Sequence, residues 1–283
     1  MEPESPGPRG STCIRRSRIS VLPENLASDP VPAHTPLSVV AMIPARAGSV
    51  RMPDKNVRRL AGHPLLAYSI AAARESGVFD KIVVSTDSPH YADIARHYGA
   101  EVPGIRPAAM AGELAPDIEW VTHMLGCLTD AGHRFDCFSI LRPTSPFRTA
   151  ETIRRAWGEF VAAPGCDSLR AVEKCKQHPG KMWVIRGRWM TPIIPLTPGR
   201  APWHSSAYQS LPEVYVQNAS LEIAWTRVPL ERGTIAGDVV LPFLTRLHEG
   251  RDINSPEDWR AVELLVDEGG AELPQILVSP WPG

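Results

Sequence analysis

The sequence predicts an α/β domain on a mainly parallel sheet flanked by helices, and three observations predict it. Short apolar, β-branched runs recur at residues 39–43, 81–87, 135–141 and 167–172, each the length of a buried strand. Segments with helical spacing of apolar residues lie between them. The runs break into polar or glycine-bearing loops, so strand and helix alternate as they do in βαβ units. Ligands of such sheets collect outside the carboxyl ends of the strands, and the loops there are the candidate sites.

A chain of 283 residues can bury one sizeable α/β core or two small ones. A formal net charge of −1 gives no reason to expect nucleic acid or an anionic membrane as partner. No apolar run reaches the roughly 18 residues of a membrane span. Cys13, Cys127, Cys137, Cys166 and Cys175 are odd in number, scattered and free of C-x-x-C spacing. That pattern predicts reduced thiols in a cytoplasmic protein, with neither a disulfide frame nor a zinc site. Residues 1–36 are rich in Pro, Ser and Arg, with Arg15, Arg16 and Arg18 close together. The composition predicts a disordered N-terminal tail without a secretory signal; a start codon assigned too far upstream would look the same.

The first run, Val-Val-Ala-Met-Ile, breaks at Pro44 into a loop carrying Arg46, Gly48, Ser49, Arg51 and Lys55. Cations beside a Gly-Ser turn can surround phosphates with N–H groups and positive side chains. An ordinary turn with a solvated basic edge fits the same residues. Helical spacing of Leu66, Ile70 and Ala73 predicts a helix over 67–77, with Gly77 ending it. The second run ends at Asp87, either a phosphate- or metal-side residue or the cap of a helix over 90–98. Arg106-Pro107 opens a polar loop that runs through Glu113 to Asp117, and a helix follows over 118–131. The third run enters Arg142-Pro-Thr-Ser-Pro-Phe-Arg148, where Pro143 and Pro146 fix the backbone, and a helix follows over 151–161. Residues 174–217, rich in Pro, Trp, His and Arg, read as an inserted arm. His178 and His204 lack the spacing of a metal site. A helix over 256–267 closes the domain, with Ser255 as cap and Pro256 in its first turn.

Four separated stretches carry a resemblance. Ile43-Pro-Ala-Arg-Ala-Gly-Ser-Val-Arg-Met-Pro-Asp-Lys-Asn56, Leu141-Arg-Pro-Thr-Ser-Pro-Phe-Arg148, the Leu211-Pro212…Asn218 segment and Asp252-Ile-Asn254 resemble, in order, the motifs of the acylneuraminate (CMP-sialic acid synthetase-like) cytidylyltransferases. Ser85-Thr-Asp-Ser88, Arg106-Pro107 and His178-Pro-x-Lys181 match as well. The resemblance spans residues 39–266. It implies a Rossmann-like nucleotide-diphospho-sugar transferase fold over 37–270, with residues 174–217 as a dimerisation arm and 271–283 as a C-terminal tail. It implies CMP transfer from CTP to an acidic, sialic-acid-like sugar, with Mg²⁺ as cofactor, in a cytoplasmic homodimer.

Residue by residue, the resemblance assigns Ala45, Arg46, Ala47, Gly48, Ser49, Lys55, Asn56, Arg106 and Asp117 to the nucleotide. Arg46, Arg51 and Lys55 would be catalytic. Arg142, Thr144, Ser145, Lys181, Asn218 and Glu222 would face the acceptor, and Asp252 with Asn254 would hold the metal. An Asp-x-Asn pair on an extended segment turns both side chains one way. The chain departs from the pattern at Val50 (usually lysine), Arg142 (usually glutamine), Tyr208 (arginine), Ala219 (glycine), Glu222 (tyrosine) and Asn254 (aspartate). Arg51 or Arg142 would have to replace the missing lysine charge. A new negative charge at Glu222 argues against the usual nine-carbon acid in its usual pose. These departures keep two other readings open: a nucleotidylyltransferase for another base or acceptor, such as a sugar phosphate, and a nucleotide-binding homologue without catalysis.

Overall fold

The computed structural model describes residues 37–195, 199 and 201–282, so the reading of residues 1–36 lies outside the described residues. In chain order the elements are β1 (Val39–Pro44), β2 (Arg59–Leu60), β3 (His63–Pro64), α1 (Leu65–Ser76), β4 (Lys81–Ser85), α2 (Pro89–His97), α3 (Asp117–Asp130) and β5 (Cys137–Ile140). Then come α4 (Ala150–Val161), β6 (Ser168–Lys174), β7 (Trp183–Arg186), β8 (Trp189–Pro192), β9 (Tyr215–Trp225), α5 (Arg227–Arg232), β10 (Val240–Leu244) and α6 (Pro256–Asp267). Every helix and strand anticipated from periodicity is present, with ends moved by a few residues.

Six strands form one sheet in the order β10-β6-β9-β5-β1-β4. β1 lies between two parallel neighbours, with Met42 opposite Val83 of β4 and Ile140 of β5. Its side chains alternate between two cores, as the period of two requires. Val39, Ala41 and Ile43 pack under α1, α2 and α4 with Leu66, Ile94 and Phe160. Val40 and Met42 pack against Trp120, Met124 and Leu128 of α3 on the opposite face. A third cluster joins Met52, Leu60, Tyr68, Phe147, Ile253 and Trp259, pinning α6 beneath the loop after β1. Ser255 and Asp258 form a capping box at the start of α6 and Pro256 sits in its first turn, as the sequence predicts.

Two strands of the six-stranded sheet escaped the sequence reading, as did the short β2–β3 pair. β9 is an eleven-residue strand antiparallel to both β5 and β6. Its first half is polar and partly exposed, which reads as the end of the arm; the arm boundary at 217 therefore falls inside β9. β10 contains Pro242 and pairs with β6 alone, a place where a sheet tolerates a missing N–H. Within the arm, β7 and β8 form a hairpin about Gly187, whose φ of 63° suits glycine. Ile185 and Trp189 on it are 74% and 73% exposed.

The segment after α6 does not hang free. Ile276, Val278 and Trp281 pack against the main core, Arg59 Nη2 donates to the Trp281 carbonyl at 2.6 Å, and the Trp281 N–H donates to Tyr98 Oη at 2.9 Å. This corrects the domain boundary at 270, because the last described residues complete the same core. Cys127, Cys137, Cys166 and Cys175 are free thiols. No helix among the described residues is long and apolar enough to cross a membrane.

Candidate active site

The loops after β1, β4 and β5 meet at the carboxyl edge of the sheet, joined by the segment before α6 and by the first half of β9. The loop after β1 is held from beneath. The Ala45 N–H donates to the Ser85 carbonyl and the Ala47 N–H to Asp87 Oδ1, both at 2.9 Å. Asp87 therefore supports the loop, and Ser88, whose Oγ accepts from the Tyr91 N–H, caps α2 instead. Among the described residues the N–H groups of Gly48, Val50 and Arg51 have no protein acceptor. A Cβ at Gly48 would meet nothing within 4 Å, so packing leaves this stretch of backbone bare. Asn56, buried, donates from Nδ2 to the Arg46 carbonyl at 3.0 Å and closes the loop on itself.

A cavity of about 270 Å³ opens over this loop. Arg46, Arg51, Lys55, Arg106 and Arg142 line it, against the carboxylates Glu113, Asp117 and Asp252. Such an excess of cations over an N–H-rich loop suits a polyphosphate. Lys55 Nζ donates to the Ile253 carbonyl at 2.7 Å, and the Ile253 N–H donates to the Thr144 carbonyl at 2.9 Å. That chain ties three separate motifs together. Burial pushes the Lys55 ammonium below the usual lysine range, with Arg51 and Arg46 adding to the effect and Asp252 opposing it. Arg106 is buried, donates to Ser85 and lies 5.0 Å from the Trp120 ring centroid; burial brings its pKa down to about 10.

Beside this lies a second cavity of about 830 Å³. Asn218, Lys176, His248 and Arg251 line it, with Val216 and Leu247 as an apolar edge. Arg142, Ala219 and Asp252 line both cavities, so the boundary between them carries a guanidinium and a carboxylate. Arg142 Nη2 lies 2.6 Å from Asp117 Oδ2 and 3.0 Å from Glu222 Oε1. Arg170 Nη1 lies 2.7 Å from Glu222 Oε2. Burial works against the charge on Arg142, but Glu222 and Asp117 override it and hold its pKa above the usual range. Burial likewise opposes the Asp117 charge, which Arg142 and the Trp120 N–H overcome, leaving its pKa lowered. The four groups form a neutral chain from the first cavity to the sheet.

This geometry changes the reading of Glu222. It is 5% exposed and covered by two guanidinia, so its charge is met inside the protein by Arg142 and Arg170. Two other expected acceptor residues stand apart. Ser145 is buried and lines neither cavity. Lys181 lies in the arm and donates to the carbonyls of His204 and Ser206, away from both cavities. Thr144 lines the first cavity. Asn218 lines the second, with its amide engaged by Thr245 Oγ1 and the Ser220 N–H. Arg148, whose role the sequence left unread, is buried without a carboxylate partner among the described residues; burial lowers its pKa to about 9. It donates to the carbonyls of Arg142 and Ser220 and to Ser69 Oγ, locking the Pro-Thr-Ser-Pro turn to β9 and α1. His248 and Lys176 carried no motif, and the fold brings Lys176 beside His248 and Arg251.

The expected metal pair can be tested on its own atoms. Asp252 Oδ1 is buried and has no hydrogen-bond partner, while Oδ2 accepts from Asn254 Nδ2. Asn254 Oδ1 accepts from Arg51 Nη2 at 3.2 Å. An orphaned carboxylate oxygen on a residue that lines a cationic cavity fits a hard cation. Among the described residues no group of three or more His, Cys, Asp or Glu could hold a metal. The protein would thus supply two oxygens and leave the rest to phosphate and water, the usual manner for Mg²⁺.

The chain is similar to known proteins in sequence and in fold. Residues 40–114 match the family model described as cytidylyltransferase. The chain is 33% identical over 238 residues to the CMP-N,N'-diacetyllegionaminic acid synthase of Legionella pneumophila, covering 82% of this chain and 97% of that one. It is 42% identical over 118 residues to the N-acylneuraminate cytidylyltransferase of Escherichia coli, covering 42% of this chain and 27% of that one. Among solved structures, a CMP:2-keto-3-deoxy-manno-octonic acid synthetase complexed with CTP superposes with a TM-score of 0.61 at 13% identity, over 82% of this chain and 99% of that one. A 4-diphosphocytidyl-2C-methyl-D-erythritol synthase from Anaerococcus prevotii gives 0.53 at 10%, over 82% and 100%. Both structures share the fold.

Proposed function

Because the chain belongs to the cytidylyltransferase family of CMP-sugar-acid synthases, we propose that it transfers CMP from CTP to a hydroxyl of an acidic, sialic-acid-like sugar. The hydroxyl oxygen attacks the α-phosphorus, the bond to the β-phosphate oxygen breaks, and pyrophosphate leaves with one proton released. Positioning and charge neutralisation supply most of the rate in such transfers. Arg46, Arg51 and Lys55 neutralise the triphosphate, and the unpartnered N–H groups of Gly48, Val50 and Arg51 cradle it. Arg106, Asp117 and Trp120 border the base. Asp252 and Asn254 would hold Mg²⁺, which supplies charge neutralisation and polarises the reacting oxygens. Arg142, at the boundary, faces the α-phosphate and the acid together, and Thr144 and Asn218 border the acceptor. The observation that carries this reading is the pair of cavities that meet at Arg142 and Asp252.

The test combines calorimetry of CTP with Mg²⁺ and pyrophosphate release with N-acetylneuraminate, legionaminic acid and pseudaminic acid. Turnover that needs both CTP and Mg²⁺ is expected; release with none of the acids would overturn the acceptor assignment. The Arg142–Glu222 pair favours a second reading, with another base or acceptor, which competition among CTP, GTP, UTP and ATP would reveal. Val50 and Asn254 motivate a non-catalytic reading. In that case Val50→Lys with Asn254→Asp creates activity that the unaltered chain lacks. The exposed apolar face of the β7–β8 hairpin supports a homodimer in which the arm reaches a second copy, and the free thiols among the described residues support the reading of a cytoplasmic protein.

A further inference from the structure

The loop over which the first cavity opens is held at one end by Asp87, just before the Ser88 cap of α2, and at the other by Tyr91 in the first turn of that helix; the second hold involves a residue of unusual conformation. Asp54, just before Lys55, lies in the left-handed region at φ 54°, ψ 22°. This conformation costs a residue with a Cβ free energy unless something fixes it. The Tyr91 hydroxyl donates to Asp54 Oδ1 at 2.8 Å. Tyr91 is 3% exposed and occupies the third position of α2, where the Ser88 cap accepts its N–H. Burial, with the Asp54 bond second, pushes its phenol well above the usual tyrosine range. At the other end Asp87, one residue before that cap, holds the Ala47 N–H.

What the left-handed turn achieves is visible downstream. The Asp54 carbonyl accepts the N–H groups of Val57 and Arg58 at 3.0 and 2.9 Å, starting the short turn that carries Lys55 and Asn56. Lys55 then reaches the Ile253 carbonyl and Asn56 the Arg46 carbonyl. Neither Tyr91 nor Asp54 lines either cavity. We propose that Tyr91 is a positioning residue: its hydrogen bond to Asp54 holds the left-handed turn that sets Lys55 and the phosphate loop for the nucleotide, with Asp87 fixing the opposite end. The nucleotide part of the inference rests on the CTP reading; the clamp itself does not.

The experiment compares Tyr91→Phe, Asp54→Gly and the double substitution in the full chain. It has two readouts: amide hydrogen exchange at Ala47, Val57 and Arg58, and calorimetric binding of CTP with Mg²⁺. Tyr91→Phe is expected to speed exchange at Val57 and Arg58 but not at Ala47, which Asp87 still holds. CTP affinity is expected to fall about five- to tenfold, the size of one hydrogen bond expressed as a binding ratio. Glycine adopts the left-handed turn unaided, so the double variant should bind CTP as Asp54→Gly alone does. Unchanged exchange in Tyr91→Phe, or an equal further loss in the glycine background, would overturn the clamp. If the unaltered chain binds no CTP, the proposed function fails, and the exchange measurement still decides the clamp.

Discussion

At the scale of single residues, the site works by controlling where charge sits. Lys55 has its pKa lowered chiefly by burial, so it sheds its proton at a lower pH than a free lysine. The protonated form binds phosphate. CTP affinity should therefore decline as pH rises through the Lys55 pKa, before the ordinary lysine range is reached. Lys55→Arg should move that decline upward, and kcat/KM for CTP against pH is the measurement. Glu222 makes a different point. Removing one partner of a buried ion pair typically costs about 3–5 kcal/mol. Glu222→Gln should destabilise the chain by up to that order and raise the acceptor KM more than the CTP KM, read by denaturation and steady-state kinetics. An acid-repelling Glu222 would instead lower the acceptor KM on neutralisation. The loop cations were legible in the sequence because they share one short stretch. The partnership of Arg142 with Glu222, 80 residues away, was not, since it depends on the register of a strand that periodicity did not reveal.

At the scale of elements, the legible parts are those whose pattern repeats locally. β1, β4 and α6 announce themselves through β-branched runs, a cap and a proline at a first turn. β9 does not, because its inner half is buried and its outer half leads into the arm, so no single period runs along it. The arm was recognisable by composition alone. Its hairpin pairs only with itself in the sheet topology and bears Val184, Ile185, Trp189 and Met190, each at least 41% exposed. A concentration of exposed large apolar side chains usually marks an interface. The proposed dimer should become a monomer in sedimentation experiments on Ile185→Asp with Trp189→Asp, with little change in the melting temperature of the separated chain. A particle of unchanged mass would discard the arm as the dimer contact.

At the scale of the whole molecule, one sheet faced by helices on two sides carries everything, including the terminal segment. Ile276, Val278 and Trp281 complete the core against α1 and α2, and Trp281 is gripped by Arg59 and Tyr98. Removing residues 271–283 should lower the melting temperature by several degrees, since each lost kcal/mol shifts a domain of this size by about 2–4 °C. Calorimetric melting of the shortened chain tests it, and an unchanged transition would return the segment to the status of a tail. The sheet itself holds a further consequence. The nucleotide side of the cleft is built where parallel strands finish, whereas Asn218 and Glu222 belong to β9, which runs the opposite way and comes directly from the arm. On the proposed function, acceptor choice and the proposed subunit contact would be written on a single ribbon of chain. A change that retunes one would then be felt by the other, and a new acceptor and a new way of pairing could arise in the same step while the grip on the triphosphate stays as it was.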